Sequence, residues 1–353
     1  MKKYILSFDD ATLFNAGLKA PADCEKKIKE MGYVRIRIPL YQTGNRIKNK
    51  TKNLLKYTAL FHIEKESIVV IQHPQYVRGI YMDFLRWMKK IRRCKLIFVI
   101  HDLESLRQLF TDNIEEYQKL DQMMYQIADV MIAHNEKMKT YLMENCKIPQ
   151  KKIVVLGVFD YLIDESVGDR GTANKEDGVI IAGNLDKNKT GYIYKLTELR
   201  TKTIFNLYGV NWSKNETSDR NWNYKGAFKP EELPSCMEGA FGLVWDGSTI
   251  EACDGPSGRY VQYNNPHKVS LYIASGIPII IWKKAALADF VQEKKIGIVI
   301  ENLNEIDQVI DAISEEQYEI MKDNISEISE KVRSGYFIKS AIEKAEEIVN
   351  ESK

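Results

Sequence analysis

Residues 264–282, NNPHKVSLYIASGIPIIIW, constrain the fold more than any other stretch of the chain. Asn265 is a good N-cap and Pro266 suits the first helical position. Gly276 suits the residue just past a helix end, with Pro278 close behind. Between these signals Val269, Tyr272, Ile273 and Ala274 recur at helical spacing. Residues 277–282 follow as a β-branched run of the kind buried on both faces of a parallel sheet. His267 and Lys268 fall in the first helical turn, where the dipole is already positive and a lysine is mildly unfavourable. Two readings fit. Either an anion such as phosphate sits in front of the helix, met by backbone N–H groups and the ammonium together, or the lysine is solvated and the helix tolerates the repulsion.

The same alternation runs through the chain. Strand patterns at 3–8, 33–38, 67–72, 95–100, 130–133 and 153–156 alternate with helical patterns at 22–31, 48–60, 77–91, 105–126 and 136–145. Between 160 and 177 the apolar pattern lapses and glycines and charges accumulate, which marks a linker. Strand patterns resume at 179–182, 203–207, 241–245 and 277–282, and residues 315–349 form a charged, amphipathic helical tail. The expectation is an α/β chain of two doubly wound, Rossmann-like domains facing each other. Their expected limits are 1–165 and 166–330, with residues 331–353 a C-terminal helix that packs back on the first domain.

Composition narrows the function classes. Lys+Arg 51 against Asp+Glu 49 leaves a net charge of only +2, so no global basic excess points to nucleic acid. The five cysteines are scattered without CxxC spacing, which indicates neither a disulfide framework nor a zinc site. MKKYILSFDD turns acidic too early for a signal peptide, and no apolar run approaches the ~18 residues of a membrane span. A cytoplasmic protein is the expectation.

In the second half, several strand patterns end in polar, glycine-bearing segments. These are Gly183-Asn184 with Lys187, Tyr208-Gly209, Asp246-Gly247, and the loop feeding Asn265, His267 and Lys268. Carboxyl ends of parallel strands share one edge, so the segments should converge on a nucleotide site, although any single glycine there is explained by a turn. Neither GxGxxG nor GxxxxGK[ST] is present. The glycine-rich stretch 246–264 has the length of an active-site lid or of a plain surface loop, and its Glu251 and Asp254 are candidate sugar contacts. In the first half, Asp9, Asp10, Thr12, Asn15 and Gly17 follow the first strand, while His73, His101 and Asp102 follow later ones. Asp102, His101 and Asp10 are candidate general bases, with ordinary hydrogen-bonded histidines as the other reading. No metal is expected, because no DxD ends a strand and neither HxxxH nor HExxH occurs.

Arg86, Lys89, Lys90, Arg92, Arg93 and Lys95 cluster around Trp87, with Lys48, Lys50, Lys52 and Lys56 upstream. Anionic lipid head groups are the expected partner, against a solvated helix face. Nucleic acid is not expected, since no recognised module accompanies the cluster.

Several segments resemble a family of bacterial sugar transferases, that of the streptococcal adhesin glucosyltransferase and the β-1,6-galactofuranosyltransferases. The matching residues are Phe8-Asp9-Asp10, Asn15-x-Gly17-x-Lys19-Ala20, Ile100-His101-Asp102-x-Glu104-x-Leu106-Arg107, Ala182-Gly183-Asn184-Leu185-x-Lys187, Tyr208-Gly209, 241–247, Asn265-Pro266-His267-Lys268 and Gly276-x-Pro278. The resemblance implies the GT-B architecture and hexosyl transfer, of galactofuranose or glucose, from a UDP-sugar to a lipid-linked or protein-linked glycan acceptor. It implies no cofactor beyond the donor. By the same analogy Lys187, Tyr208, Asn265 and Lys268 hold UDP and Thr12 lies near the acceptor. The E-x7-E pattern of many retaining enzymes has no clear counterpart, which fits inversion. A UDP-sugar epimerase and a non-catalytic subunit of a transferase complex are the competing readings, and oligomeric state, homo-oligomer included, stays open.

Overall fold

A computed structural model describes residues 1–9, 18–39, 57–74, 80–108, 114–163, 173–213 and 221–351. The chain divides into two compact units, Met1–Gly157 with Ile338–Lys353, and Val158–Phe337.

The first unit is built on β1 (Lys3–Asp9), β2 (Val34–Pro39), β3 (Ile68–His73), β4 (Lys95–Ile100), β5 (Val130–Ala133) and β6 (Ile153–Val155). They form one parallel sheet in the order β2-β1-β3-β4-β5-β6. Central β3, IVVIQH, is buried along its whole length, which is why it reads as a run rather than an alternation. Each fully buried Val or Ile there contributes roughly 1.5–3 kcal/mol. The helical pattern at 105–126 resolves into two helices, Glu104–Arg107 and Ile114–Ile127. The first stops because Gln108 turns left-handed, with φ 54°, and returns its N–H to the Glu104 carbonyl. C-terminal residues complete this unit, where Glu346 accepts from Lys3 Nζ and Tyr33 Oη, both at 2.7 Å.

The second unit holds β7 (Val179–Ala182), β8 (Phe205–Tyr208), β9 (Trp222–Gly226), β10 (Phe241–Val244), β11 (Ile279–Trp282) and β12 (Gly297–Ile300), parallel in the order β12-β11-β10-β7-β8-β9. The sequence reading missed β9 and β12, the two edge strands. Edge position explains it for β9, whose residues WNYKG are all at least partly exposed and carry no apolar period. The charged tail is also two helices, Glu315–Ser334 and Tyr336–Glu351, broken at Gly335 with φ 80°. Ser314 and Gln317 close a reciprocal capping box at the start of the first.

The helix expected after residue 265 spans His267–Ala274. Its N-cap position is Pro266 rather than Asn265. It ends in a Schellman motif, Gly276 N–H to the Ile273 carbonyl at 3.0 Å and Ile277 N–H to the Tyr272 carbonyl at 2.9 Å. Gly276 takes φ 68° there. Arg333 Nε caps the same end through the Ala274 carbonyl at 2.6 Å, a cation placed where the helix dipole is negative.

Candidate active site

Strand order reverses between β7 and β10 in the second unit, and open α/β sheets bind ligands outside the carboxyl ends of the strands at such a point. The two strands pair only at Phe241↔Val179 and Gly242↔Ile180 and then separate. Tyr272 fills the split. Its buried hydroxyl accepts the Ala182 N–H at 3.1 Å and lies 3.2 and 3.3 Å from the carbonyls of Ile180 and Leu243. Gly242 makes room for the ring, because a Cβ there would stand 2.4 Å from it. Tyr272 therefore locks the His267–Ala274 helix to both walls of the crevice.

Four residues earlier on that helix, and so on the same face, stands Lys268. Its ammonium donates to the Trp245 carbonyl and to Asp246 Oδ1, both at 2.9 Å, at the carboxyl end of β10. Lysine and aspartate side chains are only 12% and 9% exposed. Opposing charges so placed hold Lys268 beside the helix N-terminus, whose first N–H groups no intrahelical carbonyl can reach. The solvated-lysine reading is thereby corrected: Lys268 is a paired cation whose side chain is mostly buried.

The other walls are mostly backbone. The Gly183 N–H donates to the Tyr208 carbonyl at 2.9 Å, and a Cβ on Gly209 would fall 1.7 Å from the Gly183 carbonyl oxygen. The ends of β7 and β8 thus touch main chain to main chain. Asn184 Oδ1 accepts from Asp186 N–H and Asn211 Nδ2, which fixes the turn after β7. Lys187 is exposed and lies 5.6 Å over the Tyr194 ring. Tyr208 is a core residue, its hydroxyl receiving the Glu238 N–H at 2.8 Å. Asn265 is buried. His267 stacks on Tyr161 at 5.0 Å, with Nε2 3.2 Å from the Asp160 carbonyl.

In the 246–264 stretch Asp254 is bound to Ser248, through the backbone N–H and through Oγ at 2.6 Å. Burial works to raise its carboxyl, but those bonds and the neighbouring backbone N–H groups outweigh it and hold it below the usual carboxylate range. Glu251 is exposed. Residues 255–260 are helical, which the loop reading did not foresee.

At the carboxyl edge of the first unit the geometry is made of side chains. His73 and Asp121 form a buried pair, Nε2 to Oδ1 at 2.6 Å, and Asp121 Oδ2 also takes the Ser105 N–H. His101 Nε2 stands 2.7 Å from Gln72 Oε1. Asp102 accepts from Arg107 Nη1 at 2.8 Å, and the same guanidinium grips buried Glu104. Asp10, Thr12, Asn15 and Gly17 lie outside the described residues. Among the described residues no group of three or more His, Cys, Asp and Glu is placed to hold a metal ion.

Sequence reasoning missed Tyr272 and Arg107 as site residues. Tyr272 was legible as the fourth residue after Lys268, and Arg107 as the fifth after Asp102.

Known proteins share this plan. The Glucosyltransferase 3-like N-terminal and C-terminal domain models match residues 2–158 and 179–345. A β-1,6-galactofuranosyltransferase of Escherichia coli (strain K12), WbbI, is 31% identical over 93% of this chain and 94% of its own. Glucosyltransferase 3 of Streptococcus gordonii is 24% identical over 93% of both chains. Among solved structures, the sucrose-phosphate synthase of Thermosynechococcus elongatus superposes with a TM-score of 0.62 at 10% identity, covering 99% of each chain. Two parallel six-stranded units of this kind, with C-terminal helices, are the GT-B fold. The chain belongs to the Glucosyltransferase 3-like family of glycosyltransferases.

Proposed function

We propose that the chain transfers a hexosyl group from a UDP-sugar to a hydroxyl of a glycan acceptor, with inversion and without a metal. The observation that carries this is the Lys268 ammonium, held by Asp246 and the Trp245 carbonyl beside the N-terminus of the His267–Ala274 helix. A diphosphate there meets the positive end of a helix dipole and a fixed cation. As the bond from sugar carbon to diphosphate oxygen breaks, negative charge grows on the departing UDP. Lys268 and the helix terminus stabilise that charge, which is work a metal ion does in other transferases. Gly183 leaves the approach to the backbone open, since nothing stands within 4 Å of where its Cβ would be, and Lys187 supplies a second, exposed cation.

Acceptor attack releases a proton, and Asp102 is the proposed base, with His101 beside it. Arg107 orients the Asp102 carboxylate. The acceptor glycan is lipid-linked or protein-linked, and galactofuranose and glucose are the donors to try first. Release of UDP should be followed over a panel of UDP-sugars, with candidate acceptors present and absent. Transfer should require one donor and an acceptor, and Lys268→Ala should raise the donor KM. Turnover of donor alone into a different UDP-sugar would favour an epimerase and remove this reading.

A further inference from the structure

The helix Ile80–Lys90 carries two apolar stripes, and the core uses only one. Tyr81, Leu85 and Met88 are at most 1% exposed. Phe84, Trp87 and Ile91 follow one another three and four residues apart, on a stripe turned about 90° around the axis. Phe61, from the short helix Tyr57–His62, joins them. Its ring meets Phe84 and Trp87 edge to face at 5.5 and 5.2 Å, and Phe84 meets Trp87 at 6.3 Å. This ridge is not interior. Phe61 is 50% exposed and Ile91 61%, while Phe84 and Trp87 are half-buried. A contiguous exposed apolar surface marks a contact site.

Charge selects the partner. Residues 80–95 hold six cations, Arg86, Lys89, Lys90, Arg92, Arg93 and Lys95, against the single acid Asp83. Lys89 is drawn inward to Asp129, and Arg93 reaches Glu66 at 3.6 Å. The others are more available to an outside anion. Among the described residues Arg86 pairs with the exposed Asp83, a surface pair of little worth, and Lys90 is exposed. Arg92 lies 5.0 Å over the Trp87 ring and donates to the Phe61 carbonyl at 2.8 Å, which ties a cation to the aromatic ridge itself. Rings bordered by Arg and Lys suit the boundary between acyl chains and phosphates of an anionic bilayer, where each group finds its own medium.

We propose that this ridge docks the protein on an anionic membrane surface, with Phe61, Trp87 and Ile91 entering the boundary and Arg86, Lys90 and Arg92 meeting lipid phosphates. It is independent of the transfer reading, since neither the donor nor turnover enters its test. The full chain should be pelleted with phosphatidylcholine vesicles, with and without phosphatidylglycerol. Binding should need the anionic lipid, blue-shift the tryptophan emission, and survive in part at high salt because half of the contact is apolar. The double variant Phe61→Ser/Ile91→Ser changes only exposed positions and should lose at least about fivefold in bound fraction, with an unchanged circular dichroism spectrum. If it does not fold, Arg86→Glu/Lys90→Glu takes its place with the same expected loss. No binding, equal binding to neutral vesicles, or binding that a folded variant retains would overturn the proposal. So would a dimer in sedimentation velocity that the same substitutions break, because the ridge would then join two copies of the chain.

Discussion

The two sheets place different chemistry at the same topological position. In the second unit the ends of β7 and β8 touch main chain to main chain at Gly183 and Gly209, and the ion pair Lys268–Asp246 stands at the end of β10. In the first unit strand order reverses between β1 and β3, and the edge beside it is filled with paired ionisable side chains. His73 holds Asp121, His101 holds Gln72, and Arg107 holds Asp102 and Glu104. Backbone N–H groups and a fixed cation suit an anion. Carboxylates and imidazoles suit proton transfer. We read the difference as a division of labour within one chain, donor binding on the second unit and acid–base chemistry on the first.

If that division is right, removing a carboxylate from the first unit should hurt turnover and spare donor binding. Asp102→Asn keeps the size of the side chain and should cut transfer ~10²–10⁴-fold while UDP affinity stays within about twofold. Transfer near the native rate would move the role to His101, Asp10 or Asp9.

Acid should test the first unit as well. Burial pushes the His134 imidazole down to about 4, against the weaker opposing pull of the Ile100 and His101 backbone. An unfolded histidine takes up its proton near 6.5. Between those values the unfolded chain binds more protons, so stability is complete above about pH 6.5 and falls as pH drops towards about 4, by about 3 kcal/mol in all. Urea unfolding followed against pH should show this slope, and His134→Gln should flatten it. An equal slope in the variant would break the link to His134.

A smaller effect is expected at Tyr272. Replacing it by Phe keeps the ring against Gly242 but leaves the Ala182 N–H without its acceptor in a buried place. The cost should be about 1–3 kcal/mol of stability, read as a lower melting temperature, with UDP binding weakened because the Lys268 helix loses its anchor. Unchanged stability would mean that the split between β7 and β10 holds without the hydroxyl. The smallest expected effect is none at all: EDTA should leave turnover as it was. Loss of activity restored by Mn²⁺ or Mg²⁺ would show that Lys268 does not replace a metal.

Legibility from sequence tracked how local the governing physics is. The helix and strand of 264–282 were readable because their signals, Pro266, Gly276, Pro278 and the Ile run, sit within a few residues of what they control. Strand β9 was not readable, since its pairing partner Phe205–Tyr208 lies in another segment and its own residues are half in solvent. The break at Gly335 was hidden by continuous charge and apolar period on both sides. Strand-end reasoning placed Gly183, Asp246 and Asp102 just past strands, where the structure has them. It could not say that Lys268 pairs with Asp246, because those residues are 22 apart and meet only once β10 and the helix share an edge. Nor could it say that the ring of Tyr208, a strand-end residue, turns into the core.

The central claim is that Lys268 and the helix behind it grip the donor's diphosphate. Calorimetric titration of UDP into the native chain and into folded Lys268→Ala tests it most directly. The substitution should weaken UDP by ~1.5–3 kcal/mol, the range for losing a charge-assisted bond. UDP binding of native strength in the variant would contradict the claim.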